Sequence, residues 1–139
     1  MAEEDNPLTR LPGYMLRRVA NAMMAELAGR LEPTGLRISD ATLLMLVEGR
    51  KDMTASRIAR TLDIQRANMV PILARIEEKG LIEREPLDGK SQAIVLTEAG
   101  MSALAKARAI IERFESQLIA RVPDQHRDHL LPALHALAG

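Results

Sequence analysis

The chain has no cysteine and very few aromatic side chains: among its 139 residues are one tyrosine, one phenylalanine and no tryptophan. Without thiols, the sequence excludes disulfides, zinc–thiolate centres and thiol redox sensors. The scarcity of aromatic residues argues against single-strand nucleic-acid binders, which stack bases on aromatic rings. No apolar run approaches the ~20 residues of a membrane span. The acidic start, MAEEDNPLTR, lacks the apolar core of a signal peptide. The sequence therefore predicts a soluble cytoplasmic protein with no membrane partner.

Excess charge and catalytic motifs are also missing. The formal net charge is zero, so overall charge gives no indication of a nucleic-acid partner. The chain has no glycine-rich phosphate loop, no nucleophile in a motif context and no carboxylate pair with a structural rationale. We therefore predict that the protein is not an enzyme and needs no cofactor. The length fits one domain over residues 1–139, and the 47% of hydrophobic residues suffices for a core and a subunit interface.

Helices are predicted at both ends of the chain. Residues 8–31 mix apolar and cationic positions and are followed by a Pro-Thr-Gly turn, which predicts a first helix that ends there. Ser39 is a suitable N-cap for a second helix, whose crowded apolar side chains predict burial. Thr97 caps a long helix, and Pro123 starts the last one.

The middle of the chain predicts a helix-turn-helix followed by a β-hairpin. Thr54 caps a short third helix, and a fourth follows over 65–79. Strand-like residues 81–85 and 92–96 flank a polar turn that contains Asp-Gly, a strong hairpin signal. The predicted fold class is therefore mainly α with a small β-hairpin wing, a winged helix-turn-helix. The lobe spans residues 36–100, and helices over 8–32 and 103–138 flank it.

The order of these elements and several local motifs resemble the multiple-antibiotic-resistance regulator (MarR) family. The motifs are RIEEKGLIER at 75–84, Asp88 with Lys90 in the wing, and LTEAG at 96–100. The resemblance covers nearly the whole chain. It implies a homodimer whose fourth helices enter the major groove of a pseudo-palindromic double-stranded DNA operator, with the wings at the minor groove. It also implies a ligand-responsive regulator, a repressor that a small lipophilic or aromatic anion releases from DNA; the sequence does not exclude an activator.

The resemblance places DNA contacts on the third helix, the fourth helix and the wing. The predicted contact residues are Thr54, Ser56, Arg57, Gln65, Arg66, Asn68, Met69, Arg75, Lys90 and Ser91. The chain departs from the family pattern at several points. Lys90 stands where the family usually has an arginine, and Gly89 replaces a frequent basic residue beside it. Val70 and Pro71 stand where polar Thr and Arg are common.

Pro71 is the unusual residue of the fourth helix, because it lies inside the apolar stripe formed by Met69, Leu73 and Ile76. Proline in a helix interior costs ~3 kcal/mol. Two alternatives stay open: the helix begins late with Asn68 as N-cap, or the recognition helix is kinked at Pro71. In both cases DNA contacts shift toward the start of the helix, and we predict that Pro71 sets the angle at which this segment meets the groove.

The resemblance further implies a ligand pocket between the dimer helices and the DNA-binding lobe, for an aromatic carboxylate or its thioester. The predicted pocket residues are Tyr14, Arg17, Arg18 and Met45, with an arginine pairing the carboxylate. The apolar seam of the fifth helix from Leu104 to Leu118 fits either a core or a dimer interface, and we favour the interface.

Two other functions remain open. His126 and His129 have a metal-compatible spacing, with His135 further on, which would suit a metal-responsive regulator. Without cysteine or a second cluster, however, we predict no metal site. The replaced contact residues and the neutral charge fit instead a winged-helix dimer that has lost DNA binding and serves as a protein-interaction module.

Overall fold

The computed structural model describes residues 5–139, which form six α-helices and one antiparallel two-stranded sheet. The helices are α1 (Pro12–Leu31), α2 (Ile38–Val47), α3 (Ala55–Thr61), α4 (Arg66–Glu78), α5 (Glu98–Ala120) and α6 (Arg127–Ala138). The strands are β1 (Ile82–Asp88) and β2 (Ser91–Leu96), and short 3-10 turns lie at Pro7–Arg10, Glu32–Thr34 and Asp124–His126. The mainly α winged helix-turn-helix is confirmed. Within the described part, no helix has the length and apolar character to cross a membrane.

Helix α2 lies at the centre of the lobe, and the predicted burial of this helix is confirmed. Its buried apolar residues pack in one core with residues of α4 and α5. The Ser39 cap was wrong: α2 begins at Ile38 because the Asp40 carboxylate accepts the backbone N–H of Arg37 at 2.9 Å. The start of α2 is therefore held by an acidic side chain that is itself buried.

The helix-turn-helix forms as predicted from local signals. The Thr54 hydroxyl accepts the N–H of Arg57 at 3.2 Å and caps α3. Asp63, with φ of 53°, turns the chain between α3 and α4. The late start of the fourth helix was wrong, because α4 begins at Arg66 with Gln65 as its N-cap. Pro71 thus lies inside α4, where it has no N–H to offer the carbonyl four residues earlier.

The wing is longer than the predicted strands. Pro86 pairs with Gln92 and Asp88 with Ser91, with an irregularity at the intervening residue, so residues 86–88 belong to β1 instead of the turn. A proline is tolerated there because a two-stranded sheet has only edge strands. The turn itself contains Gly89, whose φ of 54° suits glycine.

The dimer-interface interpretation of the α5 seam was wrong for most of its length. Leu104, Ala107 and Phe114 are buried inside this chain, against the rest of its core. The Arg30 guanidinium covers the Phe114 ring at 5.4 Å. By contrast, α6 buries none of its side chains within the chain.

Candidate nucleic-acid interface

The first turn of α4 presents a polar surface without acidic groups. Gln65, Arg66 and Asn68 are all exposed there, and residues 64–76 contain no carboxylate. The free N–H groups of a helix N-terminus add partial positive charge at the same place. This turn can therefore approach a polyanion and offer both donors and acceptors to it.

The other predicted contacts lie on α3 and at the wing tip. Ser56 and Arg57 are exposed on α3, although Arg57 forms a 2.5 Å ion pair with Asp52. Thr54 is half-buried and uses its hydroxyl as the helix cap. Lys90 and Ser91 are exposed at the turn of the hairpin.

Asp88 and Lys90 flank Gly89 at the wing turn, but the structure does not pair their side chains. No ion pair within 4.0 Å joins the two residues in the described range. The cation at the wing tip therefore stays available to an external anion.

Two of the predicted DNA contacts, Met69 and Arg75, have side chains that pack against the lobe. Met69 is 1% exposed, because it falls on the same helical stripe as the core residues Leu73 and Ile76. Arg75 is turned toward α2, where its guanidinium pairs with Asp40 at 2.5 Å. Neither side chain is free to contact DNA in this conformation.

The Asp40–Arg75 pair is a feature that sequence reasoning missed. Asp40 is fully buried and joins the start of α2 to α4, while the Nε atom of Arg75 is buried without a hydrogen-bond partner. A second link lies nearby, where the Lys79 ammonium donates to the carbonyl oxygen of Gly35 at 2.8 Å. The available signal was the one carboxylate of a largely apolar helix, since buried carboxylates require a partner.

Residues 35–39, at the start of α2, form one wall of an open cavity of about 720 Å³. The opposite wall is the second half of α1, and the lining is mostly apolar. The charged residues at the cavity are Arg37 and Glu32. The lining residues are Met24, Ala28, Gly29, Glu32, Gly35, Leu36, Arg37, Ile38 and Ser39.

None of the four predicted pocket residues lines this cavity. Tyr14 accepts a hydrogen bond from the Asn6 amide at 3.0 Å, and the Arg17 guanidinium lies 5.8 Å from the Tyr14 ring centre. Arg18 is half-buried on the same helix, and Met45 is exposed on α2. Tyr14 and Arg17 therefore lie together on α1, Arg18 follows them on the same helix, and Met45 lies apart on α2.

The three histidines of the C-terminal region are exposed. Within residues 5–139, no group of three or more His, Asp or Glu side chains is arranged to hold a metal ion. The structure therefore offers no support for the metal-responsive alternative.

The sequence and the structure of this chain are similar to those of known proteins. The MarR family model matches residues 34–91, which cover α2, the helix-turn-helix and most of the wing. A putative transcriptional regulatory protein for the hcr operon of Thauera aromatica is 28% identical over 128 residues, 90% of this chain and 77% of that protein.

Two solved structures are similar over almost the whole chain. The transcriptional repressor CouR bound to a 23-mer DNA duplex is 30% identical, with a TM-score of 0.87 and 95% of each chain covered. CouR from Rhodococcus jostii RHA1 bound to p-coumaroyl-CoA matches with 25% identity, a TM-score of 0.84 and 96% of each chain covered. The chain belongs to the MarR family of transcriptional regulators.

Proposed function

We propose that this protein is a homodimeric, sequence-specific DNA-binding repressor that a small aromatic carboxylate or its thioester releases from its operator. The observation that carries this proposal is the exposed, acid-free first turn of α4, with Gln65, Arg66 and Asn68 presented by a winged helix. The similarity to CouR, which has been solved on DNA and with p-coumaroyl-CoA, supports it.

The exposed residues of α4 suit contacts in the major groove. Gln65 and Asn68 can pair with an adenine edge through two hydrogen bonds, and Arg66 with guanine or a phosphate. The remaining exposed candidates, namely Ser56, Arg57, Lys90 and Ser91, suit phosphates, which fix register without reading sequence. The Thr54 hydroxyl already accepts the N–H of Arg57, so Thr54 can contact a phosphate only through the hydroxyl hydrogen that the cap leaves free.

An apolar surface supports the homodimer. Several large apolar side chains are left exposed by their own chain, on the segment just before α1, on α1 and on the last two helices. They are Leu8, Leu11, Leu16, Val19, Ile119, Leu131, Leu134 and Leu137. A two-fold arrangement that covers these residues would place two α4 helices on one face, for half-sites about one helical turn apart.

A Leu131→Glu variant is expected to weaken this dimer about 100-fold in its dissociation constant. Leu131 is 62% exposed in the single chain, so two-fold symmetry places two new carboxylates in the interface. We expect each of them to weaken the dimer tenfold, which corresponds to about 1.4 kcal/mol. Sedimentation velocity over a concentration series measures it. The matched control is Met101→Glu, at an exposed site outside the proposed interface; equal dimer strength in both variants would contradict this interface.

The effector response would act through the cavity wall. Residues 35–39 border the cavity. Gly35 is linked to Lys79 at the end of α4, and the adjacent Asp40 is linked to Arg75 within α4. A ligand that prefers a different position of this wall would change the position of α4, with a coupling of ~1–3 kcal/mol. Arg37 can pair a carboxylate or phosphate there. A second proposed ligand contact consists of Tyr14, Arg17 and Arg18 on α1 and Met45 on α2. Arg17 is exposed there beside the Tyr14 ring.

Titration of p-coumaroyl-CoA and of salicylate into the protein–operator complex tests the effector class. We expect one of them to weaken operator binding about 5- to 150-fold, the range of such couplings, while an aliphatic CoA thioester of similar charge does not. Undiminished binding with both compounds would refute the proposed effector class and leave the DNA-binding proposal to be judged separately.

A Pro71→Ala variant is expected to raise the free energy of unfolding by about 1–3 kcal/mol, because alanine restores a helix N–H and removes the clash of the proline ring. The same change is expected to alter the sequence preference on DNA, since Pro71 fixes how the start of α4 meets the groove. Urea denaturation and selection of bound duplexes measure the two effects.

The matched control for Pro71 is Pro132→Ala, which changes an interior proline of α6. It is expected to leave the sequence preference unchanged. If Pro71→Ala also preserves both preference and affinity, Pro71 has no role in placing the recognition helix.

A further inference from the structure

The outward face of α4 beyond its first turn is apolar. Val70 is 60% exposed, and Ala67, Pro71 and Ala74 are exposed with it. Residues three and four apart share a helix face, so these side chains form one continuous strip. The strip begins at Arg66, and acidic residues appear on the helix only after it ends, at 77 and 78.

The charge around the strip indicates what covers it. A strip with a cation at one end and no carboxylate along its length complements a polyanion, and it is continuous with the polar turn assigned above to the major groove. A protein partner is the other possible occupant, and the experiment below separates the two.

The major groove offers one apolar group for such a strip, the C5 methyl group of thymine. An aliphatic side chain over any other base edge would bury donors or acceptors without partners, which is unfavourable. We propose, resting on the DNA-binding function above, that Val70 contacts the C5 methyl group of one thymine in each operator half-site. Ala67 and Pro71 flank Val70 on the same apolar strip. Val70 is therefore a specificity-determining residue that recognises a methyl group and forms no hydrogen bond to the base.

Uracil substitution tests the proposal, because uracil differs from thymine only by the missing methyl group. Each thymine of a selected operator is replaced in turn. We expect one position per half-site to lose affinity about fourfold, the effect of one buried methyl-sized group, and about 15-fold when both half-sites are changed. The Val70→Ala variant is expected to bind the thymine and uracil duplexes equally; alanine at an exposed helix site does not weaken the fold.

The control variant is Met101→Ala, an exposed site on α5 outside the DNA-binding face, which should keep the thymine preference of the wild type. If the protein binds its operator but no thymine responds, or if the response persists in Val70→Ala, this inference is overturned and the DNA-binding function stands. If no duplex is bound specifically, the proposed function itself fails, and the strip is then a surface for a protein partner.

Discussion

An Asp40→Ala variant is expected to lose about 3–5 kcal/mol of the free energy of unfolding, the usual effect of removing one partner from a buried ion pair. Asp40 is fully buried, and its carboxylate accepts both from Arg75 and from the backbone N–H that begins α2. Without it, a guanidinium that is only 25% exposed keeps its charge with no counterion. Urea denaturation measures the loss.

A double variant separates the charge from the packing. Asp40→Leu combined with Arg75→Met replaces the pair by apolar side chains and is expected to recover most of the stability lost in Asp40→Ala. We expect it still to bind operator DNA more weakly than the wild type, because the ionic link between α2 and α4 is gone. A loss below about 1 kcal/mol in Asp40→Ala, as typical of an exposed pair, would contradict the buried pair.

A Gly100→Ala variant is expected to lose at least about 3 kcal/mol, at the upper end of the effects of overpacking. A Cβ atom at residue 100 would lie 2.0 Å from the carbonyl oxygen of Leu81 and 3.0 Å from its carbonyl carbon. These are backbone atoms, and the same oxygen accepts the N–H of Thr97 at 3.1 Å, so it cannot move without breaking the junction between wing and α5.

The matched control for Gly100 is Gly29→Ala in α1, where an added Cβ has no atom within 4 Å. This change is expected to raise stability by about 0.5–1 kcal/mol through helix propensity. Thermal unfolding compares the two variants. If Gly100→Ala unfolds at the wild-type temperature, the close approach of α5 to Leu81 is wrong.

Features with a local cause could be predicted from the sequence. The caps at Thr54 and Thr97 depend on a hydroxyl and a backbone N–H three residues later, and both are present. The cap of α2 could not be predicted in this way. Asp40 takes that role instead of Ser39, and its other carboxylate oxygen accepts from Arg75, which lies 35 residues further along the chain.

The candidate site shows the same limit. Gln65 and Arg66 were predicted as DNA contacts from the family resemblance, and both are exposed at the start of α4. The helical period placed Met69 on the core stripe, so its predicted contact with DNA conflicted with that period, and Met69 is buried. For the α5 seam, periodicity identifies an apolar stripe but not which chain buries it, so core and interface could not be distinguished before the fold was known.

Selection of random duplex DNA by the purified protein at physiological salt tests the central claim most directly. We predict a two-fold symmetric motif with half-sites about one helical turn apart, bound with an affinity that falls steeply as salt rises. Recovery of no motif, or binding without base preference, would contradict the assignment of α4 as a recognition helix. The winged-helix interaction module would then account better for Val70, Pro71 and Gly89.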